Sequence, residues 1–470
     1  MDRRAEMIRF GNDGWKARYD DGFTRENAVR VADALGALWA DRREAAVVYV
    51  GFDTRRGSRE IAEDVAGVLA LYGLRAKLSD APAPTPAVAW TCAHDEDAAG
   101  AVVVTASELS CEYGGLIVRA EDGGPCSREF LDEAEKAIPA QTPARRGDVE
   151  TCNVVDAYCD DLLGIVDRAS ISARAPKVVV DSMYGTAAGV VAGLLRRCGC
   201  EVVEIHRKSL GDFGGVHPSP TEPWVDECEQ TVLLEGADLG LAFDCDADRA
   251  GIVDEKGRLL TVRELVPFVL SALVEKGAEQ DRVVTTLTSS ALIERQAEVL
   301  GLLYTPVSVG FTYIYDEMAE GDVLLGAEEY GGICVPSHLP ERDGIYATLL
   351  AIESFCKKDE PLSALIENQE RALGRSCWSR RDIRIDSASA QALRNVLPGF
   401  NPAELAGKKP VEVSHADGLR LGFEDGSWVL VRQARTEPIV RIYAEAADSA
   451  ARDALLDAAR ELIASGPVLL

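Results

Sequence analysis

Histidine is scarce in this sequence, and its five copies are scattered without the close spacing of a metal site. Cysteine is more frequent, but none of the 12 cysteines forms a Cys-x-x-Cys pair. Structural zinc sites usually combine such pairs with closely spaced histidines. We therefore expect no zinc centre, and we expect the cysteines, most of which stand among apolar residues, to be buried free thiols.

Positive charge is also in short supply. The chain has 50 Lys and Arg against 78 Asp and Glu, which gives a formal net charge of −28. Nucleic acids and anionic membrane surfaces bind to basic footprints, so this balance argues against both as partners. It does not exclude an anionic small substrate, because a local cluster of arginines, lysines or backbone N–H groups can bind one.

Long apolar runs are absent, since none approaches the 18 residues that a membrane-spanning helix needs. The opening stretch MDRRAEMIRFGNDGW also lacks the apolar centre of a secretory signal peptide. These two absences predict a cytoplasmic protein.

The sequence does contain repeated strand-then-helix patterns. The apolar run at 45–53 precedes a helical pattern at 58–73, and the same plan recurs at 177–205 and 282–301. Such alternation is typical of parallel sheets covered by helices. The last hundred residues instead show period-2 stretches around an Asp-Gly turn at 425–426, which predicts antiparallel strands with helices.

The length of 470 residues suits three or four domains. We predict three similar mixed α/β domains and a smaller C-terminal α+β domain. The predicted domains are 1–150, 151–257, 258–372 and 373–470.

The acidic loop FDCDADR, residues 243–249, is the sharpest local signal. Asp244, Asp246 and Asp248 alternate directly after an apolar strand, and they repel one another unless a hard cation neutralises them. Oxygen ligands of this kind suit Mg²⁺, and Arg249 adds a guanidinium that fits phosphate oxygens. A solvated acidic loop is the simpler alternative. A dehalogenase-type phosphatase would also use Asp-x-Asp, but normally after its first strand.

A second signal lies in VLVRQARTEPIVRIYAEA, residues 429–446. Arg432, Arg435 and Thr436 cluster between two strand-like runs, and Arg441 follows. Arginines and a hydroxyl in one short loop can bind a phosphate dianion. The alternative is a surface loop that balances nearby acidic residues.

A third stretch, VVVTASELSCEYGGLIV at 102–118, places Ser107 where an apolar strand ends. Serines are common in such turns because the hydroxyl can satisfy a backbone group. On its own, Ser107 could therefore be either a reactive hydroxyl or an ordinary turn residue.

Taken together, these segments resemble the α-D-phosphohexomutase family, which includes phosphoglucomutase and phosphomannomutase. The resemblance follows the family's order along nearly the whole chain. The matching segments are FGNDGWKA (10–17), TASELSCEYGGLIV (105–118), FDCDADR (243–249), TPVSVGFTYI (305–314), GAEEYGG (326–332), RDGIYATLLAIE (342–353) and RQARTEPIVRIY (432–443).

The resemblance implies four domains around a central cleft and an enzyme that moves a phosphoryl group between the 1 and 6 positions of a hexose phosphate. Ser107 would carry the phosphoryl group, with Lys16 and Arg249 beside it as catalytic residues. Mg²⁺ would be the cofactor. The partner would be a hexose phosphate or bisphosphate, and the chain would be a monomer or homodimer.

The resemblance also assigns the remaining site residues. The metal would be held by Asp244, Asp246, Asp248 and Ser107. The sugar would be bound by Glu328 and Tyr330. The substrate's second phosphate would be bound by Arg432, Arg435, Thr436 and Arg441.

Several functional positions depart from the family pattern. Lys16 stands where the family has arginine, and Glu108-Leu109-Ser110 replaces His-Asn-Pro after the serine. The family's acid/base lysine falls at Ile117, which can transfer no proton. Thr312 replaces another lysine. Tyr330 replaces a sugar-binding serine, and Ala434-Arg435 replaces Ser-Gly.

Three interpretations follow from these departures. The chain could be a divergent but active mutase on a hexose phosphate. It could be a non-catalytic paralogue that binds metal or sugar phosphate as a regulatory or partner subunit. It could also be a mutase-fold phosphotransferase or phosphatase whose Ser107 phosphate goes to another acceptor.

Overall fold

Four β-sheets follow one another along the chain, and each has its own helices. The computed structural model describes residues 8–11, 13–433 and 439–464. Three successive α/β units and a C-terminal antiparallel unit confirm the predicted fold class. Apart from the short gaps in the described chain, no helix between residues 8 and 464 is both long and apolar enough to cross a bilayer.

The first unit has a six-stranded sheet in the order β1-β5-β4-β2-β3-β6. Its strands are β1 (Gly14–Arg18), β2 (Val47–Phe52), β3 (Arg75–Ser79), β4 (Ala98–Val104), β5 (Tyr113–Arg119) and β6 (Glu150–Cys152). Its helices are α1 (Arg25–Arg42), α2 (Ser58–Ala70), α3 (Thr85–Ala93) and α4 (Arg128–Ala137). The last strand, β6, runs across the predicted division between residues 150 and 151.

Both faces of this first sheet are buried. Along β2, Val48 and Val50 pack into one hydrophobic cluster, whereas Val47 and Tyr49 pack into another on the opposite face. The alternation follows from the period of two along a strand. All six residues of β2 are buried, as expected for a strand of a parallel sheet that helices cover on both sides.

The second unit has a five-stranded sheet in the order β11-β10-β9-β7-β8. Its strands are β7 (Lys177–Asp181), β8 (Glu201–Ile205), β9 (Leu239–Phe243), β10 (Ala250–Asp254) and β11 (Leu259–Leu260). Its helices are α5 (Asp156–Ile165), α6 (Arg168–Arg174), α7 (Val190–Arg197) and α8 (Asp226–Glu235).

The third unit has a four-stranded sheet in the order β13-β12-β14-β15. Its strands are β12 (Arg282–Thr286), β13 (Leu303–Val307), β14 (Val323–Ala327) and β15 (Ile333–Cys334). Its helices are α9 (Val262–Glu275), α10 (Ala291–Leu300), α11 (Phe311–Asp316), α12 (Gly344–Cys356) and α13 (Leu362–Leu373). One continuous hydrophobic core joins the second and third units, with Leu241 and Leu325 among its members.

The fourth unit is an antiparallel sheet in the order β16-β20-β19-β18-β17, with two helices. Its strands are β16 (Cys377–Arg384), β17 (Pro410–Ser414), β18 (Leu419–Phe423), β19 (Trp428–Gln433) and β20 (Ile439–Ala446). Its helices are α14 (Ser387–Val396) and α15 (Ser449–Ala464). This unit has a separate hydrophobic core.

The cysteines are free thiols, as predicted. All 12 lie in the described part of the chain, and eight of them are buried. Cys111, in the loop that follows Ser107, is the exposed one.

Candidate active site

Ser107 lies in the loop between β4 and β5, three residues beyond the end of the buried strand β4. Its backbone adopts a left-handed conformation, with φ of 52°, which is uncommon for a residue with a side chain. The side chain of Thr105 accepts a hydrogen bond of 2.9 Å from the Ser107 amide and so supports this turn. Ser107 is buried, and its Oγ lies 2.7 Å from Asp244 Oδ2 and 3.4 Å from Asp248 Oδ1.

Arg55 holds the serine loop from the side of the first sheet. Its buried guanidinium donates hydrogen bonds to the carbonyl oxygens of Ser107 (2.6 Å), Leu109 (2.5 Å) and Ser110 (2.6 Å). Asp53 accepts a 3.0 Å bond from Arg55 Nε and so orients the planar group. Arg55 was not among the predicted site residues, although its position directly after the buried strand β2 was a usable signal.

The acidic loop joins β9 to β10 in the second unit, and its three aspartates are fully buried. One carboxylate oxygen from each of Asp244, Asp246 and Asp248 lies within 4.8 Å of the others. Burial, together with the charge of Asp248, raises the pKa of Asp246 to about 6. Burial and the two neighbouring aspartates raise the pKa of Asp244 well above its usual range. The raised pKa values of Asp244 and Asp246 mean that the carboxylates repel one another when ionised, and a bound cation would offset that repulsion.

The donor set fits Mg²⁺. Asp246 Oδ1 is buried and has no hydrogen-bond partner among the described residues, so it is free to bind a cation. Ser107 Oγ lies beside the oxygens of the two other aspartates, which makes it a fourth oxygen at the same place. Hard oxygen ligands of this kind match the preference of Mg²⁺.

A cleft of about 580 Å³ opens beside this cluster, and residues of all four units line it. Although the chain is strongly acidic, seven of its cationic side chains line this cleft. They are Arg9, Lys16, Arg18, Arg249, Arg342, Arg432 and Arg441. The acidic side chains that line it are Asp13, Asp21, Glu108 and Glu328. Arginines and lysines concentrated in one concave surface suit an anionic ligand.

Glu108 lies between Arg249 and Lys16, the two cations predicted to stand beside Ser107. Its Oε1 is 3.1 Å from Arg249 Nη1, and its Oε2 is 4.0 Å from Lys16 Nζ. Burial raises the pKa of Glu108, but the charges of Arg249 and Lys16 outweigh that effect and hold the pKa well below its usual range. The carboxylate thus occupies a position where the two cations could otherwise contact a phosphate.

Arg342 joins the metal loop to the predicted sugar-binding loop, and it too was not among the predicted site residues. Its guanidinium donates to Asp13 Oδ2 and Glu328 Oε2, each at 2.9 Å, and Nη2 also lies 3.0 Å from Asp248 Oδ2. The backbone next to Arg342 also packs closely against the metal loop at Gly344. A Cβ at this position would lie only 2.8 Å from the backbone carbonyl carbon of Arg249, so glycine permits the close packing. The signal was the Arg-Asp-Gly triplet that follows the predicted sugar-binding loop.

Glu328 and Tyr330 face different spaces. Glu328 lines the cleft, whereas Tyr330 lines a neighbouring cavity of about 330 Å³ that also includes Trp378 and Arg380. The Arg380 guanidinium lies over the Tyr330 ring, 4.7 Å from its centroid. Among the predicted sugar-binding residues, the geometry therefore favours Glu328, and the role of Tyr330 stays a prediction.

The predicted phosphate-binding loop is described in part. Arg432 and Arg441 both line the cleft, and Arg432 Nε lies 3.1 Å from Asp417 Oδ2. The same Asp417 oxygen accepts a 3.0 Å hydrogen bond from the amide of Val309, which links the fourth unit to the third. Arg435 and Thr436 lie outside the described residues.

Ile117, the position of the family's acid/base lysine, lies in β5 and is fully buried. It packs with Val103 and Tyr49 in the hydrophobic cluster on one face of the first sheet. The side chain therefore belongs to the core and can contribute nothing to proton transfer.

The chain matches four family models in succession. They are the alpha/beta/alpha domains I, II and III and the C-terminal domain of phosphoglucomutase/phosphomannomutase, at residues 7–145, 156–257, 264–372 and 389–462. A phosphoglucomutase/phosphomannomutase of Thermococcus kodakarensis is 30% identical over 443 residues, which cover 93% of this chain and 94% of the relative. A phosphoglucosamine/phosphogalactosamine mutase of Sulfurisphaera tokodaii is 26% identical over 469 residues, 97% of this chain and 98% of the relative.

Solved structures agree with these matches. A crystal structure from Thermus thermophilus, provisionally described as a phosphomannomutase, superposes with a TM-score of 0.87 at 31% identity. The superposition covers 97% of this chain and 99% of that one. A phosphoglucomutase/phosphomannomutase family protein from Burkholderia thailandensis has the same fold, with a TM-score of 0.82 at 21% identity over 99% of this chain and 98% of the other.

Proposed function

Because the chain belongs to the phosphoglucomutase/phosphomannomutase family, we propose that it moves a phosphoryl group between the 1 and 6 positions of a hexose phosphate. Ser107 carries the phosphoryl group in this proposal, and Mg²⁺ is the cofactor. The relatives' names cover glucose, mannose, glucosamine and galactosamine phosphates, so the proposal extends to hexose phosphates as a class.

The observation that carries this proposal is the position of the Ser107 hydroxyl. It lies 2.7 Å from Asp244 Oδ2, within a fully buried cluster of three aspartates beside a cleft lined by cations. An ordinary turn serine satisfies a local backbone group, but this hydroxyl points into another unit of the chain. Phosphoryl transfer depends mainly on positioning and on neutralising charge, and this arrangement supplies both.

Asp244, Asp246, Asp248 and the Ser107 oxygen would hold the Mg²⁺ ion. When bound, the ion would neutralise charge on the phosphoryl oxygens. Arg55 fixes the serine loop through three carbonyl oxygens, so the hydroxyl needs little reorganisation before reaction. Arg249 and Lys16 lie where they can contact the transferring phosphoryl group once it displaces Glu108 from them.

The transfer step is balanced without a further reactant. The bond between phosphorus and Ser107 Oγ breaks while a bond forms between phosphorus and a hydroxyl oxygen of the sugar. The proton of that hydroxyl ends on Ser107 Oγ, and reversal with the other phosphate regenerates the phosphoserine. Arg432 and Arg441 would bind the phosphate that does not react, and Glu328 would accept hydrogen bonds from sugar hydroxyls.

A second candidate function is a non-catalytic subunit that binds metal and sugar phosphate. Ile117 favours it, because the family's acid/base lysine is replaced by a buried apolar side chain. Loss of one general acid/base group typically costs about 10²–10⁴ in rate. The ion pair of Glu108 with Arg249 favours it as well, since a carboxylate there competes with a phosphate.

Intact-mass measurement separates the two functions. The purified chain would be incubated with Mg²⁺ and a hexose 1,6-bisphosphate, with Ser107→Ala as the matched variant. We expect one phosphate to be added to the wild type and none to the variant. Conversion of hexose 1-phosphates to 6-phosphates would then be measured for glucose, mannose, glucosamine and galactosamine.

Absence of phosphate on the wild type, together with normal Mg²⁺ binding, would contradict the mutase and support the non-catalytic subunit. A phosphoserine that forms but is not passed to any hexose phosphate would instead support a phosphotransferase with another acceptor.

A further inference from the structure

Each aspartate of the metal cluster has one oxygen that is already occupied by the protein. In Asp244, Oδ1 accepts a 3.2 Å hydrogen bond from the backbone amide of Arg249. The other oxygen, Oδ2, faces Ser107 Oγ at 2.7 Å. Asp244 therefore presents one oxygen to the space beside the serine.

Asp246 is held in the same way from the first unit. Its Oδ2 accepts a 2.6 Å hydrogen bond from the hydroxyl of Thr85, the first residue of α3. The backbone amide of Thr85 also donates to the carbonyl oxygen of Asp246, at 2.9 Å. Oδ1 is buried and has no hydrogen-bond partner in the described structure, so Asp246 also presents one oxygen to this space.

Asp248 is held from the third unit. Its Oδ2 lies 3.0 Å from Arg342 Nη2, and both side chains are buried. Its Oδ1 faces Ser107 Oγ at 3.4 Å and lies 3.9 Å from Arg249 Nε. Three different groups, from three parts of the chain, thus leave one inward oxygen on each of the three aspartates.

We infer that Thr85 and Arg342 are positioning residues that make the site select Mg²⁺ over Ca²⁺. Mg²⁺ takes six ligands in a tight octahedron, whereas Ca²⁺ takes six to eight and readily uses both oxygens of a carboxylate. An aspartate whose second oxygen already contacts a neighbouring donor is held so that binding through one oxygen is favoured over binding through both. The inference rests on the metal role given to the three aspartates in the proposed function.

Charge alone would give a different result, and this makes the inference testable. Removing the positive charge of Arg342 would strengthen the binding of every divalent cation to the cluster. Freeing the second oxygen of a carboxylate would favour Ca²⁺ in particular. The ratio of the Ca²⁺ to the Mg²⁺ dissociation constant separates these two effects. A change in charge alters both constants by a similar factor and so largely cancels in the ratio, whereas a freed carboxylate oxygen changes the ratio itself.

The experiment uses three variants of the full chain. Thr85→Val removes the hydroxyl and keeps the side-chain shape, and Arg342→Met removes the guanidinium. Arg119→Met is the matched control. Arg119 is equally buried and ion-paired with Asp13 and Glu341, two of the carboxylates that Arg342 also contacts, but none of its described partners belongs to the aspartate cluster.

Isothermal titration of each protein with MgCl₂ and with CaCl₂ gives the ratio of the Ca²⁺ to the Mg²⁺ dissociation constant. We expect Thr85→Val and Arg342→Met to lower this ratio about 10-fold or more relative to the wild type, the size typical of changes next to metal ligands. Arg119→Met should leave the ratio unchanged.

Equal ratios in Thr85→Val, Arg119→Met and the wild type would overturn the inference, even if Arg342→Met failed to fold. A wild type that binds neither cation would instead overturn the metal role of the aspartates, and with it the premise of the proposed function.

Discussion

The two ends of the cleft are built differently. At the serine end, Ser107 and the aspartates are at most 1% exposed and are contacted from three units of the chain. At the far end, Arg432 and Arg441 come from a unit with its own hydrophobic core, and within the described residues each pairs with a single carboxylate. The end where a bond would break is fixed in advance, whereas the other end is assembled across a junction between units.

That junction has a defined contact of its own. Glu445 in β20 accepts hydrogen bonds of 2.8 Å from the amide of Ala291, at the start of α10, and from the indole of Trp428. The carboxylate caps a helix of the third unit and complements the positive end of its dipole. The fourth unit has its own core and is joined to the third through side-chain contacts of this kind and through Trp378 and Arg380, which pack against Tyr330.

The largest effect is expected at the serine end. Asp246→Asn removes a carboxylate that no neighbour can replace, so Mg²⁺ affinity should fall more than about 100-fold and turnover about 10³-fold. Titration calorimetry and a mutase assay measure the two effects. Asp160→Asn, an exposed aspartate of α5 that pairs with Arg197, is the matched control and should change neither. Equal losses in both variants would mean that overall negative charge, and not this site, binds the ion.

A smaller effect is expected for the group that holds the serine loop. Arg55→Lys keeps the charge but loses the planar fork of five N–H donors that holds the serine loop. The guanidinium also bonds Asp53 and the Tyr113 carbonyl oxygen, so one ammonium with three N–H donors cannot replace all of its contacts. We expect the rate of phosphate incorporation into Ser107 to fall about 10²-fold, as a displaced reacting group would produce. Rapid-quench mass spectrometry measures that rate.

Arg59→Lys, an exposed residue four positions along the same segment, serves as the control for Arg55→Lys. An unchanged rate in Arg55→Lys would show that the serine loop keeps its conformation without the Arg55 hydrogen bonds. The serine end would then not be fixed in advance by this residue, contrary to the comparison made above.

At the far end the effect should appear in a different parameter. Arg432→Met removes one of the charges that, in the proposed function, bind the substrate's second phosphate, so KM should rise about 10-fold while kcat changes little. Arg420→Met, on the neighbouring strand β18 and paired with Glu412, should leave both unchanged. A large fall in kcat for Arg432→Met would mean that the far end also takes part in the chemical step.

The smallest expected effect concerns pH. The pKa of Asp246 is raised to about 6, mainly by burial, so its folded value lies above the unfolded one. In the metal-free protein, protonated Asp246 therefore contributes to the free energy of unfolding at low pH, and this contribution is lost as the pH rises through about 6. Mg²⁺ requires the ionised form, so it should raise the melting temperature more at about pH 7.5 than at about pH 5.

Thermal melts with and without MgCl₂ at the two pH values test this expectation. In Asp246→Asn the difference between the two pH values should shrink. An Mg²⁺ shift as large at the lower pH as at the higher one would contradict the ionisation of the cluster within this range.

The sequence alone was sufficient to predict the fold class. It also indicated three of the segments that meet at the cleft, namely the serine loop, the acidic loop and the segment that contains Arg432. Ser107 and the acidic loop each follow a buried strand, but these strands belong to different sheets, so only the resemblance to the family predicted that the two loops meet. The contact between Asp13 and Arg342 was out of reach, because these residues are 329 positions apart. No periodicity within one element indicates such a partner.

The direction of Tyr330 could not be predicted for a similar reason. Its position beside Glu328 was clear from the sequence, but the two side chains point into different cavities. The shared core of the second and third units was also not predicted. An apolar helix face shows that the helix is buried, but not which neighbouring unit covers it.

The cationic cleft in an acidic chain has a consequence for how fast a substrate arrives. At low ionic strength the net charge of −28 repels a phosphate dianion from a distance, before the arginines of the cleft can attract it. Salt screens the repulsion beyond a Debye length of about 8 Å at physiological ionic strength, whereas contacts inside the cleft act over shorter distances. The association rate should therefore rise with the first additions of salt, opposite to the behaviour of an enzyme whose net charge attracts its substrate.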